Sequence, residues 1–367
     1  MIVDLTFKNY RSVKDEQVLS LEANSSQLKT HNTFSPIPDN KKLKLVKSAA
    51  MYGSNASGKS NLIRLMWTMR NFILKSTELK AGDKIPSKYY DPFLLDTISR
   101  NEPIEFKIDF IAFNKKKHRY IVKFNGEEII YEYLGLYNSS HISKIYERKD
   151  SNEFVEFGEG MTNKKEEKRI AKNNLYLSTF SNTTNEQMKE IYLYFKLMEI
   201  WNVIYTQHTS ELNRKIQEIF NKPENEIFRK RLSKLISVAD TKINSVEVSE
   251  KDEEDFASLP EEVRDNVIKR YKYETFGVHP IFENNSQVSE ARLSFNDQES
   301  QGTRMMFAIG GLILEAFERP VPSVIFLDEF DNSLHPDLAK FLIELFHNPK
   351  VNRNNSQLIF ATHETTL

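Results

Sequence analysis

The chain has 367 residues, room for one large domain or two ordinary ones, and its 39% apolar and 28% charged residues are those of a folded globular protein. A net charge of −1 supplies no global basic field for nucleic acid, and the absence of Cys excludes disulfides, thiolate metal sites and a Cys nucleophile. No apolar run reaches the length of a membrane span, and Met1–Leu5 lacks the basic-then-apolar order of a secretory leader, so no membrane partner is expected and the cytoplasm is the expected compartment.

From the start, Ile2–Asn9 alternates apolar and polar and predicts a strand; Tyr10-Arg11-Ser12 breaks it and Val18–Ala23 resumes it, giving a hairpin. Asn24–Lys42, rich in Ser, Asn and Pro, predicts a loop or lid. Leu43–Met51 predicts a strand that runs into Gly53, Ser54, Asn55, Ala56, Ser57, Gly58, Lys59 and Ser60, the G-x-x-x-x-G-K-[ST] pattern of a phosphate-binding loop. Gly53 and Gly58 permit backbone angles that a side chain would block. The turning backbone aims N–H groups at an anion, and the following helix adds its positive end. Lys59 places a cation on the outer phosphates of a nucleotide such as ATP, and Ser60 offers a hydroxyl to Mg²⁺. From Asn61 to about Leu74 an amphipathic helix is predicted, with Leu62, Leu65, Met66, Met69 and Ile73 on one face. A glycine-containing turn matches this pattern by chance in roughly one such chain in a few hundred.

Lys80–Tyr90 predicts a polar loop leading to Pro92-Phe93-Leu94-Leu95. Ile104–Ala112, Arg119–Asn125 and Glu128–Leu136 alternate between polar turns, one of them Asn125-Gly126, and predict a three-stranded antiparallel meander extended by Ser143–Glu147 and Phe154–Phe157. Lys164–Lys172 is a charge run, expected as a solvated helix face. Helices are predicted over Asn185–Ile204, Ser210–Phe220 and Glu224–Ala239, too short for long coiled-coil arms; the aromatic stripe of Tyr192, Phe195, Trp201 and Tyr205 is expected in a core or interface. Ile243–Val248 and Tyr271–Phe276 return to a strand pattern on either side of the acidic stretch Ser249–Glu262 and a short helix.

After a strand at Ala291–Phe295, Glu299-Ser300-Gln301-Gly302-Thr303 opens a helix running to about Phe317, placing the Ser300 hydroxyl and the flexible Gly302 at a helix N-terminus, a second anion site. Val324–Glu329 is a continuous apolar strand ending in the two carboxylates Asp328 and Glu329. The carboxyl ends of such strands are where open α/β sheets bind ligands. Asp328 is assigned to Mg²⁺ together with Ser60, and Glu329 to activation of the attacking water. Asp331–Pro336 predicts a turn, Asp337–Phe346 a helix and Gln357–Ala361 a final apolar strand ending at Thr362-His363, where His363 could reach a γ-phosphate. His118, His141, His208, His279 and His347 show no metal-ligand spacing and receive no role.

The order of phosphate loop, Ser-x-Gly-Thr segment, Asp-Glu strand, Ser-Leu-His-Pro turn and Thr-His resembles the ABC-type ATPase clan. More narrowly, Phe7-Lys8-Asn9-Tyr10-Arg11-Ser12, Pro92-Phe93, Glu299–Arg304 and Asp328–Pro336 resemble the prokaryotic OLD-like abortive-infection ATPases related to the RloC and PARIS defence ATPases. The resemblance implies an α/β fold, an ABC-type P-loop ATPase head of mixed sheet and antiparallel β-layer with a helical insertion. It implies a lobe over 1–160, the mainly helical insertion over 161–284 and a second lobe over 285–367. It adds Arg11 and Asn61 to the nucleotide-binding set. It implies ATP hydrolysis at sites shared across a homodimer or higher homo-oligomer, with Ser300 and Gly302 of one subunit completing the loop of the other. It implies a role in phage defence through a nuclease or toxin effector. No Q-loop glutamine is evident, and the chain runs only four residues past His363, where such proteins continue, so the effector is expected outside this stretch. The alternative is a RecF- or SMC-like DNA-repair ATPase; near-neutral charge and the lack of coiled-coil arms favour the defence reading.

Overall fold

A computed structural model describes residues 1–367 apart from 26–27, 39, 41, 55–56, 139–140, 204–205, 240–241, 333 and 365–367. In chain order its regular elements are β1 (Ile2–Lys8), β2 (Gln17–Ser20), β3 (Thr33–Phe34), β4 (Leu45–Val46), β5 (Ser48–Met51), α1 (Lys59–Lys75), β6 (Ile104–Ile111), β7 (Lys117–Phe124), β8 (Ile129–Asn138), β9 (His141–Arg148), β10 (Glu156–Phe157), α2 (Glu186–Lys196), β11 (Glu199–Asn202), α3 (Thr206–Asn221), α4 (Glu226–Ala239), β12 (Ser245–Glu250), α5 (Glu261–Tyr271), β13 (Tyr273–Glu283), β14 (Ser286–Ser294), α6 (Gln301–Glu318), β15 (Val324–Asp328), α7 (Pro336–His347) and β16 (Gln357–Ala361). The chain divides into two compact units. One holds Met1–Ile200, Val321–Phe326 and Phe346–Ala361; the other holds Trp201–Pro320, Leu327–Leu345 and the residues from Thr362. Among the described residues, no helix is long and apolar enough to cross a membrane.

The first unit is built on a seven-stranded sheet in the order β10-β9-β8-β7-β6-β1-β2. The alternation of Ile104, Phe106, Ile108 and Phe110 buries one face of β6, as a period of two dictates. The predicted meander is present: β6 to β10 pair antiparallel in sequence order. Asn125 stabilises the β7–β8 turn, its Oδ1 accepting from the N–H groups of Glu127 and Glu128 at 2.8 and 2.9 Å. Against this face packs α1, with Ile63, Leu65, Met66, Met69, Phe72 and Ile73 buried, so the predicted stripe is the core face, and Phe72 stacks on Tyr89. Glu132 on β8 is fully buried and accepts from Tyr120 Oη, Tyr146 Oη and the N–H groups of Tyr176 and Leu177. Four donors satisfy the carboxylate where water cannot.

Three sequence expectations are corrected here. Lys164–Lys172 is not a helix: it is irregular chain that bridges to Phe154 through Arg169, with Lys172 O accepting from Ile129 N–H, because its backbone finds partners on the β-layer. The single strand Leu43–Met51 is two, β4 pairing antiparallel with β3 and β5 pairing parallel with β16. The break falls at buried Lys47, whose ammonium donates to His31 O and His347 O. The helix over Asn185–Ile204 ends at Lys196, and Glu199–Asn202 is a strand; Ile204 and Tyr205 lie outside the described residues. Short apolar runs fit either period, and no Gly or Pro marks the change. Strand β11 stands beside β15 in a four-stranded sheet of order β11-β15-β16-β5.

The second unit joins the antiparallel sheet β12-β13-β14 to helices. Helix α6 is its core, buried from Met305 to Phe317 apart from half-buried Glu315. Gly310 lies against Leu235 of α4 and Gly311 against Ile216 of α3, closer than any Cβ would allow. Asn284 and Asn285, both with positive φ, turn β13 into β14 as a two-residue hairpin loop requires.

Candidate functional site

In the first unit the phosphate loop leaves β5 and enters α1. Asn55 and Ala56, two of its predicted members, lie outside the described residues. Gly58 caps α1 in the left-handed conformation, φ 94°, which disfavours any side chain. A Cβ on Gly53 would stand 2.6 Å from Ser57 Oγ. Both glycines therefore hold a turn that other residues would distort. Lys59 folds back over this turn, Nζ donating to Gly53 O at 2.6 Å and Ser54 O at 3.0 Å. Ser60 follows on the exposed side of the first helical turn. The arrangement suits an anion: a narrow backbone turn, the positive end of a 17-residue helix and a lysine already held over the loop.

The Asn9–Ser12 turn, a strand break by its pattern and part of the segment that carries the family resemblance, leans on the same helix. Asn61 Nδ2 donates to Ser12 Oγ at 2.6 Å, and Tyr10 Oη lies 3.0 Å from Thr68 Oγ1. Asn9 and Arg11 both take positive φ. Arg11 donates its N–H to Asp91 O and pairs through Nε with Asp91 Oδ2 at 3.1 Å, and Asn9 Oδ1 accepts from Phe93 N–H. The structure thus groups Arg11, Asn61 and the Pro92-Phe93 segment around the loop's helix.

In the second unit Asp328 ends β15, 3% exposed, and its Oδ2 accepts from Asn202 Nδ2 at 2.7 Å. Glu329 follows in the left-handed region, φ 56°, in a turn closed by Asn332 N–H donating to Glu329 O. A glutamate in that region marks a constrained position, as at many functional sites. His363, just beyond β16, brings Nε2 to 3.5 Å from Glu329 Oε1, so the two residues expected to act on water and the γ-phosphate do meet. Ser300 is the N-cap of α6; its Oγ accepts from Thr303 N–H at 3.1 Å and lies 2.8 Å from Thr303 Oγ1, and Gly302 is half-buried in the first turn. Among the described residues no three His, Asp or Glu side chains are grouped to hold a metal ion.

Two features escaped the sequence reading. Asn202 falls in the stretch predicted as helix, and the four residues Glu199–Asn202 are too few to show a strand period. His279 received no role, yet its Nε2 donates to Glu299 Oε1 at 2.6 Å, immediately before Ser300.

Among solved structures the chain is similar to the recombination mediator protein RecF with ATP from the RecFOR pathway, at 12% identity and a TM-score of 0.40, over 100% of this chain and 93% of that one. It is similar to RecF with ATPrS at 11% identity and a TM-score of 0.39, over the same shares. No curated protein matches it. With a phosphate loop on a strand and helix, and a buried apolar strand ending in Asp328-Glu329, residues 48–367 match one family throughout, and the chain belongs to it: the AAA domain family described as putative AbiEii toxin, Type IV TA system.

Proposed function

We propose that this P-loop ATPase binds and hydrolyses ATP and acts as the regulatory subunit of an abortive-infection system controlling a nuclease or toxin effector. The observation that carries the chemistry is Lys59 folded onto the carbonyls of Gly53 and Ser54. An ammonium already directed into the loop exchanges those carbonyls for phosphate oxygens. Mg²⁺ travels with ATP and takes hard oxygen ligands, which the Ser60 hydroxyl and the Asp328 carboxylate supply in kind. Glu329 serves as base toward water, and His363 beside it orients that carboxylate or contacts the γ-phosphate. The defence role draws on the family description and on the resemblance to OLD-like ATPases, as does assembly through sites completed by Ser300 and Gly302 of a second subunit.

The test is nucleotide binding and turnover by Lys59→Ala and Glu329→Gln, with and without DNA. Lys59→Ala is expected to lose binding, and Glu329→Gln to bind ATP normally while turnover falls about 10²-fold or more. Undiminished ATP affinity in folded Lys59→Ala would sink the loop assignment. Wild-type turnover in Glu329→Gln would remove the base. A rate raised strongly by DNA would favour the repair alternative over the defence role.

A further inference from the structure

The segment that opens α6 leaves the end of β14 and turns sharply. Gln298 and Glu299 both donate their N–H groups to Ser294 O, at 2.9 and 3.2 Å, and Gln298 Oε1 accepts from Ser294 N–H at 2.9 Å. The turn carries Glu299 inward, 9% exposed, against β13. There the carboxylate lies directly over Gly277, where a Cβ would overlap its Oε1. Beside it His279, two residues along and on the same face of β13, donates Nε2–H to Oε1 at 2.6 Å. A short charge-assisted bond on a buried carboxylate is among the stronger polar contacts a protein makes. The bond reaches across 20 residues of sequence, from a strand to the residue before the helix N-cap.

We propose that His279, acting through Glu299 in the notch left by Gly277, is a positioning residue that fixes the direction in which the first turn of α6 presents Ser300 and Gly302. Two physical consequences follow from removing it. Glu299 is left a buried carboxylate without its donor, which is costly enough to expel it from the notch. Once released, an anion next to a helix N-terminus is drawn to that terminus, because the unpaired N–H groups and the dipole favour negative charge there. The glutamate then covers the turn that holds Ser300 and Gly302. His279 thus holds Ser300 to its capping geometry and keeps the neighbouring carboxylate away from the helix end.

The proposal rests on the reading that Ser300 and Gly302 serve the ATP reaction, and the experiment separates the two. Steady-state ATPase kinetics and thermal unfolding are measured for full-length His279→Ala, His279→Gln, Gly277→Ala, Glu299→Gln and His279→Ala/Glu299→Gln, with Gly302→Asp as reference. His279→Ala and Gly277→Ala are expected to lower kcat about 10-fold with KM for ATP within about 2-fold, since the phosphate loop is untouched. The amide of His279→Gln restores a donor and most of the rate. Glu299→Gln, uncharged, is not drawn to the helix end, so it suppresses the His279→Ala defect. If Gly302→Asp leaves kcat unchanged, the reading of Ser300 and Gly302 fails. If Gly302→Asp is inactive while His279→Ala and Gly277→Ala turn over normally, the positioning role fails. A kcat loss in His279→Ala that Glu299→Gln does not relieve, or that His279→Gln shares at unchanged thermal stability, also overturns it.

Discussion

At the scale of single residues, the candidate chemistry depends on side chains held by partners far along the chain. Asp328 is set by Asn202, 126 residues away, through a 2.7 Å bond to one carboxylate oxygen. Residues that orient a metal ligand typically matter 10–100-fold for metal affinity or activity. Asn202→Leu is therefore expected to raise the Mg²⁺ concentration needed for half-maximal ATPase activity about 10-fold or more, with nucleotide affinity measured in EDTA unchanged. An unaltered Mg²⁺ titration would show that Asp328 needs no such support. The difference between Asn202 and the phosphate loop explains what could be read from sequence. Gly53–Ser60 is local: its glycines, lysine and serine stand within eight positions and their spacing encodes the turn. The importance of Asn202 or His279 lies in a partner that topology supplies, so composition and spacing carry no trace of it.

At the scale of elements, periodicity was legible wherever a segment has one buried face. The stripe of α1 and the alternation of β6 to β8 follow from half-burial, and Asn125-Gly126 marks its own turn. Very short elements, such as β4, β5 and β11, offer too few residues to show a period, so the sequence merges β4 with β5 and reads β11 as helix, whereas β15 and β16, buried all round, announce themselves as continuous apolar runs. The meander also carries a chemical limit. His118 on β7 is fully buried, its ring stacked on Phe110 and its Nδ1 2.9 Å from Lys116 O. Burial pushes its pKa down to about 4, from 6.5 in the open chain. Between those values the unfolded chain binds a proton that the folded one refuses, so this contribution to stability is intact above pH 6.5 and is lost as pH falls toward 4. The slope approaches ~1.4 kcal/mol per pH unit. His118→Phe, which keeps an aromatic ring there, is expected to flatten the fall in unfolding free energy between pH 6.5 and 4, measured by urea denaturation. An unchanged slope would mean that other groups set the acid limit.

At the scale of the whole molecule, the proposed function requires assembly. The reading that Ser300 and Gly302 of one subunit complete the loop of another predicts complementation. Lys59→Ala subunits mixed with Gly302→Asp subunits place both lesions on one shared site and leave the other intact. Mixtures are expected to regain part of the ATPase activity that neither variant has alone. A strictly monomeric protein with full activity would defeat shared sites outright. Failure of mixtures to recover, with mixed dimers shown by mass, would require both sites to work together or none to be shared.

The pairing of β5 with β16 has a consequence in the time of synthesis. The strand from which the phosphate loop springs is joined edge to edge by β16, about 300 residues later. Gln357 of β16 also grips β1, accepting from Ile2 N–H and donating to Ile2 O. At roughly 5–20 residues per second, a ribosome needs about 15–60 s to travel from one partner to the other. Throughout that interval β5 has an open edge on the side β16 will take, and open edges invite pairing with other chains. The loop gains this neighbour only when β16 has been made. A nascent chain thus gains the partner strand of its phosphate loop only once β16 has been made, and a chain cut short before β16 keeps the motif without that neighbour.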